Sequence, residues 1–150
     1  MFNMERYLHL RKNQYKSKKA TKDYIAMNKA IVKEYPFLGS DREDYDYSYT
    51  ELDFIPCGWL VGFGEKLLIE LKDLLLKKNL LYEFKIFDIK EKYGLLRIDA
   101  CDCDKEVYAL LNRYENASGD YCIVCGKPVT KHMCYYGTCD TCDPYNAPDI

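Results

Sequence analysis

In Cys122-Ile-Val-Cys125-Gly126 the second cysteine is separated by thirteen intervening residues from Cys139-Asp-Thr-Cys142. A C-x-x-C turn presents two sulfurs from one knuckle, and two knuckles at this spacing can close a tetrahedral four-cysteine zinc site. Gly126 suits such a knuckle because glycine takes the left-handed backbone that tightens the turn. The predicted ligands are Cys122, Cys125, Cys139 and Cys142, holding one structural zinc. With four protein ligands no position remains for water, so the expected role is folding and not catalysis. His132 and Cys134 lie between the pairs, and either could replace a ligand or support one from behind. Reduced structural cysteine and a redox-active pair are the alternatives, though nothing around the pairs resembles a strand-to-helix redox motif.

Cys57, Cys101 and Cys103 stand apart from these pairs. A second metal site would have to use a C-x-C spacing, which is not a knuckle, and cysteine is a common buried residue. The sequence offers no recognisable catalytic set. It has two histidines, His9 and His132, and no Gly-rich phosphate loop, G-x-S-x-G or H-E-x-x-H. Asp102 and Asp104 read as helix caps. The chain is therefore expected not to be an enzyme. Lys90, Lys92 and Arg97 bracket a turn and form a candidate partner-binding patch, with Glu91 and Asp88 among them. A solvated hairpin tip is the plainer reading.

The elements that must position these residues follow from periodicity. Residues 4–35 read as helical in two pieces. Tyr24, Met27, Ile31 and Tyr35 make one apolar stripe, Thr21 is the N-cap, and Pro36 ends the helix. The first piece is polar, anchored only by Tyr7, Leu8 and Tyr15, and is expected to be an exposed helix or a mobile arm. Residues 39–56 form an acidic loop in which Tyr45, Asp46, Tyr47 and Tyr49 are candidate partner-binding residues. A loop of this length within a domain is usually functional or disordered.

Cys57-Gly58-Trp59 opens a central helix over 59–78 with a Leu-rich face, closed by Asn79. Strands are expected over 81–90 and 95–101, with Tyr82, Phe84 and Ile86 alternating on one face and Gly94 in the turn. A last helix over 104–117 starts at Asp102 or Asp104. The predicted architecture is α+β: N-terminal helices, a central amphipathic helix on a β-hairpin, a further helix and a C-terminal four-cysteine ribbon. It divides into a helical basic arm (1–38), the acidic Tyr-rich loop (39–56), an α+β core (57–118) and a zinc ribbon with its tail (119–150).

The 150 residues carry a net charge of only −2, unevenly spread. Nine Lys/Arg face three acids between Glu5 and Glu34, and six acids face one Arg between Asp41 and Asp53. These could be two partner surfaces or one internal neutralisation. The most apolar run, Leu67 to Leu76, is interrupted by Glu70, Lys72 and Asp73 and is too short to cross a bilayer. With no export signal read in the sequence, an intracellular setting is expected, with thiols or metal ligands in place of disulfides.

Gly58-Trp59, then Ile89-Lys-Glu-Lys-Tyr-Gly94-Leu-Leu-Arg97-Ile98, then Ser118 and Cys122-Ile-Val-Cys125-Gly126 resemble a group of small uncharacterised bacteriophage and prophage proteins. Their pattern is a Gly-Trp segment, a K-E-K-[FY]-G-x-L-R hairpin, a short helix, C-x-x-C-G and a closing cysteine pair. The resemblance covers about residues 57–142 and brings no mechanism. It implies a mobile-element accessory protein in the bacterial host cytoplasm, where such proteins often bind and modulate host proteins, including defence systems. A nucleic-acid-binding zinc ribbon is the alternative, supported by the basic arm. Against it, the segment from Gly119 onward has four acids and two lysines.

Overall fold

The element order is α1 (Met4–Gln14), α2 (Lys22–Glu34), 3-10 turns at Pro36–Leu38 and Glu51–Phe54, α3 (Cys57–Trp59), a π-helical turn Leu60–Gly64, α4 (Glu65–Lys77), β1 (Ile86–Lys92), β2 (Leu95–Ala100), α5 (Lys105–Ala117) and a 3-10 turn Ser118–Asp120. The structure is a computed structural model that describes residues 2–14, 17–102, 104–129 and 137–142. β1 and β2 pair antiparallel, which gives the expected α+β architecture.

Local chemistry sets most of the boundaries. The Thr21 side chain accepts from Tyr24 N at the start of α2, and Asp104 accepts from Glu106 N and Val107 N at the start of α5. Each satisfies backbone donors that the first helical turn leaves open. Asn79 closes α4 at φ 59, with Leu80 N bonded to Leu75 O and Asn79 N to Leu76 O. These two bonds make a Schellman cap with asparagine in the left-handed position. α3, the π turn and α4 run on as one rod, since Leu60, Gly64 and Glu65 all keep right-handed helical angles.

The hairpin begins later than the alternation of Tyr82, Phe84 and Ile86 suggests. Residues 81–83 form a turn, Tyr82 is exposed, and β1 starts at Ile86. Glu83 N and Phe84 N both bond to Leu80 O, so the chain is still reversing after the helix cap. A register shift between Ile86 and Asp88 makes Phe87 an extra residue, and it is exposed. At the tip, Tyr93 (φ 54) and Gly94 (φ 80) are both left-handed, the signature of a type I′ turn.

The first helix is not the exposed or mobile arm that its polarity suggests. Tyr7 is fully buried, Met4 is buried, and Arg11 is only 6% exposed. Tyr15 lies outside the described residues. Buried side chains from α1, α2, the 39–56 segment, the central rod, the hairpin and α5 form one hydrophobic core. α5 packs on β2 and on α4, and β1 packs on the Glu51–Phe54 turn.

Candidate metal centre

Cys122, Cys125, Cys139 and Cys142 come together as the spacing predicts, with all four sulfurs within 4.8 Å of one another. The Cys125 and Cys139 sulfurs are 3.6 Å apart. Four thiol sulfurs at this separation can hold a metal ion, and they are the one such cluster among the described residues. His132, Cys134 and Cys103 lie outside the described residues. Cys57 is exposed, and the Cys101 sulfur accepts from Lys85 N at 3.3 Å.

The first knuckle is built by its backbone. Cys122 N bonds to Lys127 O at 2.8 Å and Gly126 N to Cys122 O at 2.9 Å. Gly126 sits at φ +80, a conformation that side chains rarely adopt. Val124 N reaches the Cys122 sulfur at 3.4 Å. Burial would push the Cys122 thiol up, but N–H groups of Cys125, Cys139 and Val124 outweigh it and draw that thiol down to about 6. Cys142 is pushed up to about 12 by burial and by hydrogen bonds that its protonated thiol donates to the Cys139, Cys125 and Cys122 sulfurs. Negative charge on one sulfur is costly beside the other three, and a bound cation would compensate it.

The knuckle is docked on the rest of the fold, and the dock uses residues to which spacing assigned no role. Gly58 N donates to Ile123 O at 2.9 Å, and the indole N–H of fully buried Trp59 donates to Tyr121 O at 3.2 Å. A Cβ on Gly58 would stand 2.1 Å from Cys122 O, far inside contact distance. The Phe63 ring lies 5.1 Å from the Tyr121 ring and 5.9 Å from that of Tyr114, tying the knuckle to α5. Ile123 N bonds to Gly137 O, and Gly137 packs on the backbone of Gly94 at the hairpin tip. Ser118 accepts from Leu96 N at 2.9 Å and donates to Glu115 O at 2.6 Å, closing the outer edge of β2 just before the ribbon. The Gly-Trp segment, the hairpin turn, Ser118 and the first knuckle therefore form one contiguous assembly.

The acidic loop is ordered by the basic arm. Asp53 receives the hydroxyls of both Tyr7 and Tyr24 on one carboxylate oxygen. Its other oxygen accepts from Thr50 N at 3.3 Å. Arg11 donates to Ile55 O at 2.7 Å, Asp53 O at 3.0 Å and Leu52 O at 3.3 Å. Burial and Asp53 hold the Tyr7 and Tyr24 hydroxyls well above the ordinary phenol range. Asn28 donates to Tyr47 O at 2.9 Å, fixing Tyr47 at φ 62.

Tyr45, Tyr47 and Tyr49 are half-buried and pack on one another, with Tyr45 4.7 Å from Tyr47 and 5.4 Å from Tyr49 between ring centres. Asp46 is exposed. Lys90 pairs with Arg97 across the hairpin, and Lys92 lies two residues along, so the three cations share one face. Lys90 meets Asp88 at 3.3 Å, and Glu91 turns away to accept from Gly94 N at 2.6 Å.

Comparison with known proteins gives no match: no family model, no curated protein and no solved structure is similar to the chain. Among the described residues no helix is long and apolar enough to cross a membrane.

Proposed function

We propose that the cysteine cluster holds one zinc ion in a structural role. Zinc–sulfur bonds of about 2.3 Å in a tetrahedron place the sulfurs about 3.8 Å apart. The 3.6 Å separation of Cys125 and Cys139 sits at that edge length. All four donors are soft sulfurs, the set that suits zinc, and they leave no vertex for a reacting water. The mass of the purified protein under native conditions should exceed its denatured mass by one zinc. Another metal at that stoichiometry, or none, would overturn the assignment.

We propose further that the chain is a non-enzymatic accessory protein of the phage or prophage type. It acts in the bacterial host cytoplasm and binds and modulates a host protein, for which a defence system is a candidate. The observation that supports this reading most is the internal wiring of residues 39–56. Asn28 holds Tyr47, Arg11 holds Ile55, and Tyr7 and Tyr24 hold Asp53, while Tyr45 packs on both Tyr47 and Tyr49. A pre-ordered aromatic surface loses little entropy on binding and suits a protein interface.

A second reading, nucleic-acid binding, is supported by exposed cations on and beside the first two helices. Arg6, Lys12, Lys18, Lys19, Lys22, Lys29 and Lys33 are all exposed. A pull-down from bacterial lysate, run with and without nuclease, separates the two. A stoichiometric protein retained after nuclease supports the interaction reading. Recovery of nucleic acid alone, lost with nuclease and weakened steeply by salt, would replace it with the second.

A further inference from the structure

Glu51 opens the 3-10 turn Glu51–Phe54 and is only 9% exposed. Among the described residues its carboxylate makes no hydrogen bond and no ion pair. Its oxygens keep some contact with water, since the one fully buried side-chain atom left unpartnered among the described residues is Asn28 Oδ1, but a largely buried carboxylate without a counter-charge is still costly. Glu51 also lines a cleft of about 470 Å³ that runs between Asp41, Arg42 and Tyr49 on one side and Lys85 and Phe87 on the other. The cleft is an open groove at the surface and not an enclosed cavity.

The cations in the walls are already matched. Arg42 forks onto Asp44 with two contacts of 3.1 Å. Lys85 is held between Asp41 at 3.2 Å and Pro36 O at 3.1 Å. Asp88 and Asp53 add negative potential at Glu51, and burial with these two acids pushes its carboxyl up to about 7. An anionic guest would meet this acid face, whereas a cationic one would supply the missing counter-charge. The extra residue in β1 points the same way. The register shift between Ile86 and Asp88 leaves Phe87 at the cleft mouth, 64% exposed. Bulges of this kind re-aim a side chain toward a site. Phe87 and Tyr49 offer aromatic surface for an alkyl stem and a cation.

We propose that this cleft is a binding site for the ammonium or guanidinium end of a lysine or arginine side chain of a partner protein. Glu51 pairs with the charge, and Phe87 and Tyr49 flank the stem. The inference rests on the protein-interaction reading above.

The test is an NMR titration of the full chain with N-acetyl-lysine methylamide, N-acetyl-arginine methylamide and the uncharged N-acetyl-norleucine methylamide. The cationic probes should shift the amides of residues 39–42 and 85–87, and norleucine should bind at least about tenfold more weakly. Glu51→Gln should cost the cationic probes a similar factor, and Phe87→Ser, on the surface, a several-fold loss. Equal binding of norleucine, or unchanged affinity in folded Glu51→Gln, would overturn the site. Should Glu51→Gln not fold, the norleucine comparison and Phe87→Ser decide. The nuclease-treated pull-down separates the two readings. A protein captured equally by wild type and Glu51→Gln, with no probe bound, overturns the cleft alone. Selective probe binding with no protein captured supports the cleft's chemistry and overturns the interaction reading.

Discussion

Gly58 and Ile123 are joined by a backbone hydrogen bond of 2.9 Å that lays the first cysteine knuckle directly on the start of the central rod. The approach is so close that a Cβ at residue 58 would stand 2.1 Å from Cys122 O and 2.4 Å from the Ile123 carbonyl carbon. Those atoms are backbone and cannot swing aside. The neighbouring Gly62 faces the same knuckle, at Tyr121 and Gly126. The ribbon is therefore built onto the core across glycines.

Gly58→Ala should push the knuckle off the rod. Elsewhere in a helix this change is favourable by about 0.5–1 kcal/mol. Here the overlap reverses the sign, and a loss of about 2–4 kcal/mol is expected, in the range of severe overpacking. Chemical denaturation followed by Trp59 fluorescence reads it, because the indole N–H is bonded to Tyr121 O across the same interface. Unchanged stability would show that the knuckle does not dock as described.

Removing the proposed zinc should unfold more than the ribbon. Structural zinc contributes on the order of 10 kcal/mol of apparent binding free energy at neutral pH. Cys122→Ser and Cys139→Ser each take away a sulfur that is buried in the cluster. Both variants, and the wild type with excess chelator, should lose zinc and melt at much lower temperature. Because Gly137 packs on Gly94, the hairpin-tip amides should lose hydrogen-exchange protection along with the ribbon. Protection that survives metal loss would show that the two regions are uncoupled.

How much of this was legible depended on the distance over which the determining contact acts. The cysteine cluster, the Thr21 and Asp104 caps and the Asn79 cap each depend on residues close in sequence, and each is where the pattern places it. Of the two aspartates that could open α5, only geometry selects Asp104. The late start of β1 was hidden because Tyr82, Phe84 and Ile86 alternate like a strand while the chain is still turning after α4. The buried first helix was hidden because its anchor is remote: Tyr7 meets Asp53 across 46 residues. A sparse apolar stripe conceals a helix whose interior contacts include a phenol hydroxyl and a guanidinium as well as Met4. The Gly-Trp segment carried a visible pattern, but its role as the knuckle's dock needed the fold.

The Asp53 hub makes a quantitative case. Asp53→Ala would strip the acceptor from two buried hydroxyls and from Thr50 N at once. Stranding buried donors costs about 1–3 kcal/mol each, and losses within one network do not simply add. A loss of about 3–5 kcal/mol is expected. Tyr7→Phe removes one donor and leaves Asp53 with Tyr24, so it should cost about 1–2 kcal/mol. The double variant Tyr7→Phe/Asp53→Ala should then be less damaging than the sum of the singles. Strict additivity in denaturant melts would show that the three side chains do not act as one unit.

Glu51 sets a pH signature. Its carboxyl stands at about 7 in the folded protein, raised first by burial and then by Asp88 and Asp53, against 4.5 for an ordinary glutamate. The folded protein therefore holds this proton over a range in which the unfolded chain has released it. Below pH 4.5 both states are protonated and the group costs nothing. Between pH 4.5 and 7 stability falls as pH rises, and above pH 7 the whole penalty stands. Glu51→Gln removes the ionisation and keeps the shape. Its stability relative to wild type should be near zero at pH 4 and rise to a gain of about 1–2 kcal/mol at pH 8, a value discounted for the part of the carboxyl that water still screens. Comparing the two proteins at each pH cancels the titration of the cysteines, which both share. A constant offset between pH 4 and pH 8, or a variant less stable at the higher pH, would mean that Glu51 already has its counter-charge in the folded chain. The cationic guest proposed for its cleft would then have nothing to neutralise.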